Sequence, residues 1–290
     1  MREPTDLLMC VGPDDVHRLF PLALQLAATN LDFDGSVHLV GPDPDRITAI
    51  AKTIDCRGRR LFIHADQDVL PPAEASLAGW LRQQLIKLRA DEVCQSRHIW
   101  CLGSDTLVVR PVQRTSVTRA GEPIIFYNRY RYPNPHLEYE RRRVLSVARL
   151  LKVEPTTSYL LGDFIMDLTL FDRRHLMALR QYLARLYQNT SFADVLPTSI
   201  QTVAERRLFG EWTLYAVFVL DVLRFPAPVR NSGSRFVSQV HSEYDLVDDD
   251  AYGAAAIHFV SKAFEVKAIV AQLARRDLLE STDVPLGAFH

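Results

Sequence analysis

The chain has 290 residues with 48% hydrophobic and 24% charged side chains, a globular composition that excludes a disordered protein. Its 34 basic and 35 acidic residues leave a net charge of −1, which excludes the bulk electrostatic footprint of a nucleic-acid binder. No apolar run reaches the ~18 residues of a membrane span, and the amino terminus lacks the basic-then-apolar pattern of a secretory signal.

The length fits one large domain. Of the 34 basic residues 5 are Lys, the bias of a GC-rich bacterial genome. Cys10, Cys56, Cys94 and Cys101 contain no CxxC pair, which argues against a zinc site or a disulfide framework. Cys10 and Cys101 lie in apolar runs and read as small buried hydrophobes. The expected compartment is reducing and cytoplasmic.

The first ~110 residues alternate strand and helix patterns. Leu7–Val11 reads as a strand ending at Gly12-Pro13, followed by a helix over Asp14–Asn30 with Pro21 as a kink. Val37–Val40 is a strand, Asp45–Ile54 a helix, and Leu61–Ile63 a strand closed by His64–Asp68. Leu77–Val93 is a helix and His98–Leu102 a fourth strand. The alternation implies βαβ units and a mostly parallel α/β sheet of the Rossmann type flanked by helices. Ligands of such sheets bind beyond the carboxyl ends of the strands. After Pro111 the pattern loosens. Ile124–Tyr127, Phe164–Phe171 and Ala254–Val260 read as strands. Leu137–Leu151, Leu176–Tyr187, Trp212–Val222 and Val266–Leu273 read as helices. No repeat or linker divides the chain, so residues 1–290 are expected to form a single domain whose second half elaborates the sheet.

No GxGxxG, GxxxxGK[ST], GxSxG or HExxH occurs. The strongest signal is the apolar strand that runs into Gly103-Ser104-Asp105-Thr106. Asp105 at a carboxyl strand end suits a hard cation such as Mg²⁺ or Mn²⁺; equally, it suits a turn in which it satisfies backbone amides. In the preceding helix Leu77, Trp80, Leu81, Leu85 and Leu88 form an apolar stripe with Gln84 at its centre and Lys87 at its edge beside Trp80. A buried amide needs partners, since an unsatisfied one costs about 1–3 kcal/mol. Gln84 therefore either bonds a neighbouring strand or faces a ligand, and Lys87 either snorkels or meets an anion.

These residues resemble a known group. Gly79-Trp80-Leu81-Arg82-Gln83-Gln84-Leu85-Ile86-Lys87-Leu88, then Leu102-Gly103-Ser104-Asp105-Thr106, are similar to a bacterial group of GT-A-fold glycosyltransferases with a Trp…Gln-Gln…Lys-Leu helix before a strand ending in a DxD-type motif. Phe164–Arg173 and Phe209-Gly210-Glu211-Trp212-Thr213-Leu214-Tyr215 resemble two further segments of that group, so the likeness runs from about Gly12 to Tyr215.

The resemblance implies a GT-A-like domain with a nucleotide-sugar half over about residues 1–110 and an acceptor half over about 111–290. It implies a nucleotide-sugar donor, commonly UDP-linked, and a saccharide or small-molecule acceptor. Gly12 and Asp15 would approach the nucleotide, with Gln84 and Lys87 in the same donor site. Ser104 and Asp105 would face the diphosphate and a Mn²⁺ or Mg²⁺ ion. Gly103 stands where the first acid of the motif belongs, which weakens the metal site. His258 corresponds to a carboxyl-terminal metal ligand and Lys262 to a diphosphate-binding lysine. Glu211 and Asp163 are the candidate acceptor-side or base carboxylates. Glu211 precedes an apolar helix, so it also suits the helix dipole, and Asp163 opens an apolar strand. The Tyr127–Tyr132 run reads as a surface loop and Arg141–Arg143 as a solvated face. The expected activity is sugar transfer. A degenerate GT-A domain that binds nucleotide or a partner without turnover is the alternative, supported by Gly103. A nucleotidyltransferase is a third reading, opposed by the acidic Gly12-Pro13-Asp14-Asp15 turn.

Overall fold

The computed structural model describes residues 3–129, 137–164, 167–188, 191–196, 208–225, 229–231, 237–240, 254, 256–259 and 265–278. The amino-terminal half is β1 (Thr5–Cys10), α1 (Phe20–Asn30), β2 (Val37–Gly41), α2 (Pro44–Ala51), β3 (Leu61–Ala65), α3 (Asp66–Val69), α4 (Pro72–Ala75), α5 (Gly79–Leu88), α6 (Ala90–Val93) and β4 (His98–Gly103). Then follow β5 (Thr106–Val108), β6 (Thr118–Arg119), β7 (Glu122–Pro123), β8 (Ile125–Arg129), α7 (Leu137–Leu151), β9 (Gly162–Asp163), β10 (Leu168–Asp172), α8 (Arg173–Tyr187) and α9 (Phe192–Val195). The last described elements are α10 (Glu211–Val217), continued by a π-helical turn over Phe218–Val222, then β11 (Val229–Asn231), β12 (Val237–Val240), β13 (Ala256–Phe259) and α11 (Val266–Arg275).

The central sheet has the order β10-β4-β1-β2-β3. β4, β1, β2 and β3 are parallel, and β10 is antiparallel against β4. β1 is buried at every position: Leu7 and Met9 join one hydrophobic core, Leu8 and Cys10 the other. A parallel strand covered on both faces has to be apolar throughout while its side chains still alternate. This is the mostly parallel α/β sheet with flanking helices that the alternation predicted. Two smaller sheets, β11-β8-β9 and β12-β13-β5, carry later segments back to the first half.

Several boundaries differ from the sequence reading. The first helix starts at Phe20, not Asp14, because Pro21 sits in its first turn, where a missing amide costs nothing. The long Leu77–Val93 helix is two helices that meet at Arg89. The Phe164–Phe171 strand is shorter, beginning at Leu168 as β10, while Gly162–Asp163 just before it pair in a different sheet as β9. The strand read at Ile124–Tyr127 is β8 and runs on to Arg129, so residues 127–129 are strand and not loop; the rest of the Tyr127–Tyr132 run lies outside the described residues. Trp80 is 39% exposed and does not belong to the apolar stripe. Arg143 does not lie on a solvated face; it is buried, while Arg141 and Arg142 are exposed. The reason is helical spacing: Arg143 follows Glu140 by one turn on the buried side that also carries Val144 and Val147. All four cysteines are free and buried.

Candidate active site

The chain leaves β1 toward β2 on one side, and β4 lies on the other. The carboxyl ends of β1 and β4 therefore flank a topological switch point, the usual ligand crevice of an open α/β sheet. A short network closes the two strand ends together. Ser104 N–H donates to the Cys10 carbonyl at 3.0 Å, and Gly12 N–H donates to Ser104 Oγ at 3.3 Å. The amides of Asp15 and Val16 both return to the Gly12 carbonyl, at 3.1 and 3.2 Å. This turn brings the Asp15 carboxylate back over Gly12, where Oδ1 pairs with Arg18 at 3.2 Å. A Cβ on Gly12 would lie 3.0 Å from both Asp15 Oδ2 and Gln83 Nε2. The glycine thus lets a carboxylate and an amide meet the strand end.

Lys87 points from α5 under the same edge. Its Nζ donates to Glu211 Oε1 at 2.6 Å; the glutamate side chain is buried and the lysine mostly so. The ammonium also lies 4.6 Å from the Trp212 ring centroid, a cation–π contact. Burial alone depresses a lysine; here Glu211 outweighs it and holds Lys87 charged. The Cys10 thiol is pushed up to about 12 by burial, with Lys87 opposing and Asp66, Glu211 and Asp105 adding to the rise. Cys10 at the end of β1 therefore feels four charged groups, from α3, α5, the β4–β5 turn and α10. Gln84 is buried one helical turn before Lys87, and its Oε1 has no hydrogen-bond partner among the described residues.

Asp105 sits in the turn between β4 and β5. A Cβ on Gly103 would come within 2.5 Å of Asp105 Oδ1, so this carboxylate oxygen occupies the space an acid at position 103 would enter. β5 pairs with β13 in antiparallel register, which sets His258 opposite Thr106, next to Asp105 in sequence. The His258 side chain and all of Lys262 lie outside the described residues.

Asp163 is in a neighbouring cluster. Its Oδ1 accepts from Asn128 Nδ2 at 3.1 Å across the β8–β9 pair. Glu140 and Arg143 form a buried ion pair on α7. Burial lifts Glu140 to about 7, with Arg143 opposing and Asp163 adding to the rise. A Cβ on Gly210 would meet Arg143 Cδ at 3.2 Å, which places this cluster against the residue before Glu211.

Sequence reasoning missed four members of these clusters. Gln83 was passed over for its neighbour Gln84, although a helix that buries Gln84 presents Gln83 a quarter turn away. Asp66 carried a signal, an acid just past an apolar strand, and it pairs with Arg82 at 3.3 Å. Glu140 and Arg143 were legible only as an i,i+3 pair of opposite charge on the apolar side of a helix.

Among the described residues, two groups of His, Cys, Asp and Glu converge closely enough to share an ion: Asp6, His38 and Cys94, and Glu122, Asp172 and His175. Asp105 belongs to neither.

A protein-family profile matches residues 29–233 and is described as a family of unknown function, DUF6492. The chain belongs to this DUF6492 family. No curated protein matches this DUF6492 chain. Among solved structures it is similar to the galactosyltransferase LgtC in complex with donor and acceptor sugar analogues, at 14% identity, over 94% of this chain and 100% of that one, with a TM-score of 0.49. It is also similar to the apo form of mouse xyloside xylosyltransferase 1, at 15% identity, over 90% of this chain and 100% of that one, with a TM-score of 0.49. No helix among the described residues is long and apolar enough to cross a membrane.

Proposed function

We propose that the chain transfers a sugar from a nucleotide-sugar donor, a UDP-sugar, to a saccharide or small-molecule acceptor. The observation that carries this reading is the closure of the switch point. Gly12, Asp15, Gln83, Ser104, Asp105 and Lys87 surround the adjoining ends of β1 and β4, and a nucleoside diphosphate needs polar and cationic groups at such an edge.

In this reading the amide and carboxylate of Gln83 and Asp15 bind the nucleoside. Ser104, Asp105 and Lys262 face the diphosphate. Lys87 and Gln84 shape the floor of the donor site, and Gln84 Oε1, buried without a partner among the described residues, is an acceptor for a ligand donor group. Glu211 and Asp163 are the acceptor-side carboxylates. Lys87 orients Glu211, so Glu211 acts by accepting a hydrogen bond from a hydroxyl, and Asp163 is the carboxylate that takes a proton.

The donor set also bears on a metal. Asp105, with His258 set opposite Thr106, suits Mn²⁺ or Mg²⁺, although Gly103 supplies no second carboxylate. Asp105 and His258 would hold the ion, and its chemistry there is neutralisation of the charge on a leaving diphosphate. The remaining catalysis is positioning and fixed charge from the chain itself.

The engagement of Glu211 by Lys87, together with Gly103, favours a second reading, a domain that binds nucleotide without turnover. One experiment separates them. Thermal shift with UDP, GDP, ADP and TDP, each with Mn²⁺, is followed by UDP-sugar hydrolysis measured on the nucleotide that stabilises. Stabilisation with release of UDP supports transfer chemistry, stabilisation without release supports the binding domain, and no stabilisation by any nucleotide contradicts both.

A further inference from the structure

At the opposite end of the sheet, Asp6 of β1, His38 of β2 and Cys94, the residue after α6, bring a carboxylate oxygen, a ring nitrogen and a thiol within 4.8 Å of one another. All three are buried, with exposures of 3%, 5% and 0%. We propose that Asp6, His38 and Cys94 form a buried site for a zinc-class divalent transition metal.

Backbone amides anchor the carboxylate. Asp6 Oδ1 accepts from Ser36 N–H at 2.8 Å, and Oδ2 accepts from Gln95 and Ser96 N–H at 3.0 and 2.8 Å. The last two amides follow Cys94 directly, so the carboxylate itself fixes the segment that carries the thiol. A carboxylate has about four lone-pair positions, so three amide bonds leave one for an ion. The His38 ring lies between Phe62 and His64, with centroid distances of 5.0 and 5.5 Å and near-parallel planes. Its Nδ1 is 3.3 Å from His64 Nε2. In the tautomer that donates from Nδ1 to His64, the lone pair of His38 is on Nε2. A partner on the second ring nitrogen is the usual support of a metal-bound histidine.

Charge points the same way. Among the described residues Asp6 pairs with no Lys or Arg, so its buried negative charge meets only amide dipoles, a thiol and an imidazole. The other convergent group makes the contrast. Arg97 and Arg174 both bond Asp172 and both bond Glu122, which closes that site with two guanidinium groups.

The donor chemistry selects the ion. Sulfur, nitrogen and a single carboxylate oxygen match zinc, with cobalt as its spectroscopic substitute, and disfavour Mg²⁺ and Ca²⁺. Ligands about 2.0–2.3 Å from a tetrahedral metal stand roughly 3.3–3.8 Å apart, so side-chain rotations of about an ångström close the set. As the metal–sulfur bond forms, the thiol proton leaves to solvent, and the fourth position takes a water. The three ligands come from separate elements, which is why no CxxC or CxxH spacing announces them.

The test uses the full chain expressed in zinc- or cobalt-supplemented medium, because a buried site fills as the chain folds. The expected result is about one metal ion per chain after purification, and in the cobalt protein a near-ultraviolet thiolate-to-cobalt band. Cys94→Ser, close to isosteric, and His38→Gln should each lose the band and reduce bound metal to background. Asp105→Ala, at the other end of the sheet, should keep both, which separates this site from the proposed donor site. A native chain with no more metal than Cys94→Ser, or a cobalt band unchanged in Cys94→Ser or in His38→Gln, overturns the proposal.

Discussion

Lys87 Nζ and Glu211 Oε1 are 2.6 Å apart although 124 residues separate them in sequence. The pair joins α5, from the half that carries the switch point, to α10, from the later half that carries Glu140 and Asp163. Glu211 opens α10, and its described partner is this lysine. A carboxylate that merely complements a helix dipole contributes about 0.3–1 kcal/mol. Removing one member of a buried pair costs about 3–5 kcal/mol, because the other charge stays behind uncompensated. Glu211→Gln is therefore expected to destabilise the chain by an amount in the second range, measured by urea denaturation. Lys87→Met with Glu211→Gln should recover most of the loss. Additive losses in the double variant would remove the pair from the account.

Gly12→Ala separates binding from folding. The new methyl meets the ends of two side chains, Asp15 Oδ2 and Gln83 Nε2, each 3.0 Å away, and no backbone atom is among its near neighbours. Both side chains can withdraw, so stability should change by less than about 1 kcal/mol. Withdrawal takes the amide and carboxylate from the strand end. Nucleotide affinity, measured by calorimetry, should fall tenfold or more; an unchanged affinity would remove Gly12 and its two neighbours from the nucleoside site.

Gly103→Asp tests the missing acid. Gly103 is a strand residue outside the positive-φ region, so an L side chain is tolerated by the backbone. Its Cβ displaces only the mobile end of Asp105. The expected outcome is a folded variant with Mn²⁺ affinity increased several-fold, read by electron paramagnetic resonance of free Mn²⁺. A folded variant with unaltered Mn²⁺ affinity would place the metal elsewhere.

Glu140 gives a pH signature. Its acid form is favoured in the folded chain, which lifts it from its ordinary 4.5 to about 7. The folded state then holds a proton that the unfolded state releases, so this contribution is full below about 4.5 and is lost as pH rises through about 7. The stability of the native chain minus that of Glu140→Gln should fall by an amount on the order of 1–3 kcal/mol across that window. Parallel pH profiles would show that Glu140 ionises normally.

Much of the first half was legible because parallel strands and their crossover helices impose strong periodicities. β1, β2, β3 and β4 each fall within a few residues of their predicted places. The Gly103–Asp105 turn was legible as an acid past an apolar strand. Long-range pairing was not. Nothing local says that Lys87 meets Glu211 and the Trp212 ring instead of Trp80, or that Arg143 turns inward while Arg141 and Arg142 face solvent. The pairing of Gly162–Asp163 with β8 and of Leu168–Asp172 with β4, in two different sheets, was hidden for the same reason, since alternation reports burial and not the partner strand.

The central claim is that Asp105 and the β1–β4 switch point bind a nucleoside diphosphate together with a divalent ion. A calorimetric titration of the native chain with UDP, in Mn²⁺ and in EDTA, tests it most directly. Linkage is reciprocal, so Mn²⁺ should tighten UDP binding about five- to a hundredfold, and UDP should tighten Mn²⁺ binding by the same factor. In Asp105→Ala the two UDP affinities should become equal. Equal affinities in the native chain, unaltered by Asp105→Ala, or no heat of UDP binding under either condition, would contradict it.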